Sequence, residues 1–148
     1  FYLVAYSSYI LIDHLENRLH ETVPVIRDFF HLTYVRNKGA AFGILADNAV
    51  RIPFFITVSI VAMLGIIWYL RQIRADQKLA LFSLSLIFSG AFGNLIDRIR
   101  LGEVIDFLDV FWQGHHWPAF NVADSAITVG VALLFIEMWH EDRNKNKE

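Results

Sequence analysis

The chain has no cysteine, which excludes disulfides, thiolate metal centres and a cysteine nucleophile. Charge is scarce: 19% of the 148 residues are Asp, Glu, Lys or Arg, and the net charge of −2 gives no reason to expect nucleic acid as a partner. No GxSxG elbow is present, so the serine-hydrolase turn is missing. Histidines stand at 14, 20, 31, 115, 116 and 140, with a suggestive pair at His115–His116, but there is no HExxH and no clustered acid/histidine spacing. No metal is expected. The small-residue stretch Asn37–Gly43 (NKGAAFG) lacks the Gly-Lys-Ser/Thr half of a P-loop, although its glycines let backbone approach a ligand closely. What the chain has in quantity is apolar surface. Hydrophobic residues make up 55% and the mean hydropathy is +0.41. Soluble domains average about 45–50% on a count that even includes glycine. Disorder is excluded, and an ordinary soluble fold is disfavoured.

The apolar residues come in long runs. Ile52–Leu70 is 19 residues without a charge and Leu79–Ile96 is 18. A hydrocarbon core about 30 Å thick needs roughly 20 such residues in a helix. A third run, Phe120–Ile136, is interrupted only by Asp124. Soluble helices that are apolar all round are rare in so short a chain. Phe1–Ile12 is also uncharged, and a helix reaching Leu19 would be long enough to cross while carrying Asp13 and Glu16 near its far end. The start lacks the basic region and small-residue cleavage site of a secretory signal. It also lacks a methionine, which leaves the beginning of this helix open to trimming. The expectation is one integral-membrane domain over 1–148, all-α in class, with four spans at about 1–19, 52–70, 79–96 and 121–139.

Three connections join these spans. Arg71–Lys78 is a tight basic hairpin, whereas 20–51 and 97–120 are long and rich in polar, glycine and aromatic residues. The pattern PVIRDFFHLTYVRN, β-branched and aromatic, predicts short strands lying against the bilayer surface. Glu141–Glu148 reads as a solvated charged tail. Four spans put both long connections on one side of the membrane, with the hairpin and both termini on the other. Of thirteen Lys and Arg, six fall on the hairpin side and seven on the loop side. Their density in the short hairpin favours a cytoplasmic hairpin.

Five of the fifteen acidic residues, Asp97, Glu103, Asp106, Asp109 and Asp124, lie between the end of the third span and the start of the fourth. An ionisable group at membrane depth is costly, so Asp124, flanked by Val122, Ala123, Ala126 and Ile127, is expected to be functional or paired. Asp106, between Ile105 and Phe107, reads as half buried. Asp97, followed by Arg98, reads equally well as a salt bridge at a helix end. Two converging carboxylates cannot both ionise cheaply, which allows one to act as a base and the other as a neutral hydrogen-bond donor. Spacing alone leaves two readings open: a hydrolase, and a small transporter or proton-conducting protein using the same carboxylates.

Three segments resemble the signature blocks of the bacterial lipoprotein signal peptidases, or type II signal peptidases: NKGAAFG at 37–43, GNLIDRIRLGEVIDFLD at 93–109 and FNVADS at 120–125. The resemblance, from about His20 to the end of the fourth span, implies an aspartic endopeptidase of the bacterial inner membrane. It would cut prolipoproteins before a cysteine that carries diacylglycerol. It implies Asp106 and Asp124 as the catalytic pair, with Asn37, Gly39, Asn94, Asp97, Arg98 and Asn121 supporting the site or contacting substrate. It also implies a β-cradle from 20–51 on the periplasmic surface, a loop or helix outside the membrane between spans three and four, and an active site facing the periplasm with both termini cytoplasmic. Diacylglyceryl-prolipoprotein and membrane lipids are the expected partners, no cofactor or metal is implied, and a monomer is expected. One departure stands out. Family members carry Asp-x-x-x-Lys in helix one, whereas here Asp13 is followed at that distance by Asn17 and no lysine precedes Lys38.

Overall fold

The computed structural model describes residues 22–39 and 48–145. The expected first span, with Asp13 and Asn17, lies outside the described residues, as do positions 40–43 of the NKGAAFG block. The described residues form two compact units: 22–38 with 105–121, and 39–104 with 122–145.

The first unit is built on a four-stranded sheet in the order β1-β2-β3-β4. Its strands are β1 (Val23–Ile26), β2 (Phe30–Asn37), β3 (Val104–Trp112, entering this unit at Ile105) and β4 (His115–His116). β1 and β2 pair antiparallel around the turn that follows Ile26, where Asp28 takes a left-handed φ of 63°. Asp tolerates that conformation better than most residues. Pro24, which has no N–H for a ladder, sits on edge strand β1. β3 and β4 pair antiparallel across Gln113 and Gly114, at φ 50° and 80°. Positive φ at both central positions is what a two-residue hairpin turn of matching twist requires.

The strands at 23–37 match the expected β-rich segment. The region between the third and fourth spans differs from the expected loop or helix, because it forms β3 and β4. Its acidic residues break the apolar pattern that would announce a strand. In the structure Asp106 and Asp109 instead have partners: Asp106 accepts two side-chain amides and Asp109 pairs with His116.

The second unit contains three helices among the described residues: α1 (Asn48–Leu70), α2 (Lys78–Leu101) and α3 (Val122–Lys145). Within them Ala49–Leu70, Lys78–Leu101 and Val122–His140 are each long and apolar enough to cross a membrane. At about 1.5 Å rise per residue even the 19 residues of the last reach about 28 Å. Each helix exposes large apolar side chains, among them Trp68, Phe82, Phe135 and Trp139. Such surfaces suit a lipid surrounding. The middle helix, α2, packs on both others. Its buried residues Ala80, Ser83, Leu84, Gly90, Asn94 and Leu95 all fall on one face of the helix. The helix ends at Gly102, left-handed at φ 74°, whose N–H bonds to the Arg98 carbonyl. Arg98 and Arg100 sit in its last turn, where a positive charge suits the helix dipole.

Helices α2 and α3 touch at two glycines. A β-carbon on Gly90 would run into the Ala123 carbonyl oxygen, and one on Gly130 would lie 2.7 Å from the Ser83 carbonyl oxygen. Backbone atoms cannot step aside as a side-chain tip can. Overfilling a packed contact costs about 1–3 kcal/mol. Gly90→Ala is therefore expected to lower the melting temperature in detergent clearly. Gly65→Ala, where nothing lies within 4 Å of the added carbon, should not lower it. Equal melting of the two variants would contradict this packing.

Candidate active site

In the sheet unit, Asp106 is 1% exposed on β3, between Ile105 and Phe107, which are also buried. A carboxylate so buried needs hydrogen bonds. It has one on each oxygen: Asn121 Nδ2 donates to Oδ1 at 2.9 Å and Asn37 Nδ2 to Oδ2 at 2.7 Å. The two donors come from distant parts of the chain. Asn37 ends β2. Asn121 follows Phe120, which is pinned to β3 by reciprocal backbone bonds with Leu108 of 2.8 and 3.1 Å. That bridge, one residue away, sets the buried Asn121 amide on the aspartate. Both amides are neutral, so they hold the carboxylate without adding charge.

In the helical unit, Asp124 lies half-buried in the first turn of α3. Asn94, buried on α2, donates from Nδ2 to its Oδ1 at 2.8 Å. Arg98, one turn further along α2, donates from Nη1 to the Asn94 carbonyl at 3.3 Å, and its guanidinium carbon lies 5.1 Å from the centre of the Phe55 ring on α1. Asp97 is half-buried beside Arg98 in the same helix. Gly39 has φ 72°, and a β-carbon there would fall 2.6 Å from Phe55 Cε2. This left-handed, crowded position requires glycine.

Each expected site residue is thus placed. Asn37 and Asn121 gather on Asp106, Asn94 on Asp124, and Arg98 backs Asn94. The remaining acid of β3, Asp109, accepts from His116 Nδ1 at 2.9 Å if that nitrogen carries the proton, and His116 stacks on Phe111 with centroids 4.6 Å apart. Asp109 therefore has a structural partner. Asp109→Asn keeps an acceptor for His116 and is expected to retain at least about half the wild-type rate of the reaction proposed below, a modest effect typical of substitutions away from buried networks. Phe55 was not legible as a site residue, because an aromatic in an apolar run looks like any lipid-facing side chain.

A carboxyl group held by neutral amides can take a proton from water when ionised and donate a hydrogen bond to a carbonyl when protonated. The comparisons agree with that chemistry. Residues 5–140 match the model of the signal peptidase II family. A lipoprotein signal peptidase of Geobacter metallireducens is 61% identical over 130 residues, 88% of this chain and 80% of that protein. Its counterpart in Geobacter sulfurreducens is 60% identical, over 94% of this chain and 86% of that one. Among solved structures, a bacterial membrane enzyme determined by the in meso method at 2.3 Å superposes with a TM-score of 0.77 at 32% identity, covering 99% of this chain and 91% of that chain.

Proposed function

The chain belongs to the signal peptidase II family, the membrane aspartic peptidases of lipoprotein processing, and on that premise we propose that Asp106 and Asp124 are its catalytic pair. The observation that carries the assignment is the amide on each carboxylate: Asn121 and Asn37 on Asp106, Asn94 on Asp124. Every one of these residues falls in a signature block. The chain itself links the two aspartates, because Asn121, which holds Asp106, stands only three residues before Asp124.

In the proposed mechanism the pair shares one proton and titrates as a unit. The ionised member removes a proton from a water molecule as that water attacks the scissile carbonyl. The protonated member donates a hydrogen bond to the carbonyl oxygen and stabilises the charge that develops there. Collapse of the tetrahedral intermediate breaks the C–N bond, and the proton taken from water goes to the leaving amine. The amides of Asn37, Asn94 and Asn121 orient the carboxyl groups throughout. The substrate is a prolipoprotein already carrying diacylglycerol on its cysteine, cut on the N-terminal side of that residue. Asp97, Arg98 and Gly39 support the site or the bound peptide.

The same reading places a monomer in the inner membrane as a single peptidase domain with four spans, the first at about 1–19. The long connections and the active site would face the periplasm, and both termini and the hairpin the cytoplasm. The absence of cysteine makes the orientation directly testable. Single cysteines at Asp76, which is exposed in the hairpin, and at Asp47 are expected to react with an impermeant thiol reagent from opposite sides of sealed inner-membrane vesicles. Labelling of both from the periplasmic side would overturn the arrangement. Function is tested by incubating detergent-purified protein with diacylglyceryl-prolipoprotein and following the gel shift. Release of the signal peptide is expected, and an intact substrate would overturn the reading.

A further inference from the structure

We propose that Phe55, which lies outside all three signature blocks, is a positioning residue that fixes the guanidinium of Arg98 for catalysis. The inference rests on the function proposed above and adds a residue to it.

Phe55 and Phe54 are neighbours on α1 with different surroundings. Phe54 is 48% exposed, as a lipid-facing side chain would be, whereas Phe55 is half-buried. The Phe55 ring has two close neighbours. Arg98 lies over its face at 5.1 Å, inside the range of about 6 Å for attraction between a cation and an aromatic ring. Gly39 also lies close to it, where a β-carbon would sit 2.6 Å from Cε2 and 3.0 Å from Cζ. The ring thus carries the guanidinium on its face and fills the space that a side chain at position 39 would take.

The consequence runs along α2. Arg98 donates to the Asn94 carbonyl, and the Asn94 side chain donates to Asp124. A long, flexible arginine has many rotamers and costs entropy to hold in one of them. A flat ring beneath the guanidinium removes most of those rotamers before substrate arrives. Leucine at 55 would fill part of the space but offer no aromatic face. Tyrosine would keep the face. Glycine at 39 is thereby explained twice, by its positive φ and by the ring that its missing side chain admits.

The test is a double-mutant cycle on cleavage of diacylglyceryl-prolipoprotein, joined to a spectroscopic readout that needs no turnover. Phe55→Leu is expected to lower kcat/KM about tenfold, the effect of losing roughly 1.4 kcal/mol of ring–cation attraction. Phe55→Tyr should stay within about twofold of wild type, since its ring face attracts the same cation. In an Arg98→Ala background Phe55→Leu should cost almost nothing more, because the group it positions is gone. In arginine-labelled protein in micelles, the Arg98 Nε–H proton should show a ring-current shift that Leu abolishes and Tyr preserves. Multiplicative losses in the cycle, or an Arg98 resonance indifferent to Phe55→Leu, would overturn the proposal. If the wild-type protein leaves the substrate uncut, the proposed function fails. The arginine resonance still decides whether the ring holds the guanidinium.

Discussion

Asp106→Asn and Asp124→Asn are each expected to lower the rate of signal-peptide release by about a thousandfold or more, within the range of about 10²–10⁴ for general acid–base catalysis alone plus the separate loss of oxyanion stabilisation. Neither change should prevent folding. At Asp106 both oxygens accept amide N–H groups, so an asparagine there would present its own NH2 to one of them. Rotation of the exposed Asn37 amide about its terminal bond restores a donor facing an acceptor. The shape and packing of the site survive, and the exchangeable proton does not. At Asp124 the asparagine oxygen can still accept from Asn94. Circular dichroism and melting in detergent should therefore be close to wild type while cleavage is lost. An Asp124→Asn protein that cuts at a tenth of the wild-type rate would remove Asp124 from the catalytic pair.

The second large effect concerns the lipid on the substrate. The aromatics of the long connections include Trp112 and Trp117, which the structure leaves 67% and 69% exposed, and Phe29, at 41%. Such side chains suit the boundary between hydrocarbon and water. A scissile bond has to be held at that depth, and a diacyl group does so through burial worth roughly 0.8 kcal/mol per methylene. Sustained burial of even about four methylenes in the bound state would amount to roughly 3 kcal/mol, more than a hundredfold in kcat/KM. Unlipidated prolipoprotein is thus expected to be cut at least about a hundredfold more slowly than the diacylglyceryl form in a side-by-side time course in mixed micelles. Equal rates would mean that the signal helix alone positions the bond.

Much of this is legible in the sequence where one physical signal dominates. Ile52–Leu70 and Leu79–Ile96 announce helices because no charge interrupts them, and both fall inside α1 and α2. Asp124 stands out because a charge in an apolar run is costly and rarely idle. The strands at 23–37 follow from β-branched and aromatic residues bounded by a turn. The strand β3 is harder to see, since Asp106 and Asp109 interrupt its apolar pattern, and their partners Asn37, Asn121 and His116 lie 7 to 69 residues away. Pairing at that distance leaves no local trace. The roles of Asn94 and Asn121 come from the family resemblance, because a neutral amide has no distinctive spacing. Gly90 and Phe55 act through close contacts with other helices, which a single chain read in order does not display.

The central claim is that two aspartates work as one acid–base unit, and a single-turnover experiment with excess enzyme addresses it directly. Wild-type, Asp106→Asn, Asp124→Asn and the double variant are each mixed with diacylglyceryl-prolipoprotein, and the products are identified by mass spectrometry. The wild-type protein should release a signal peptide ending at the residue before the lipidated cysteine. The three variants should share one residual rate, because groups that act together are not lost twice. A double variant much slower than both single variants, or a single variant that still cuts at near the wild-type rate, would contradict a shared catalytic pair.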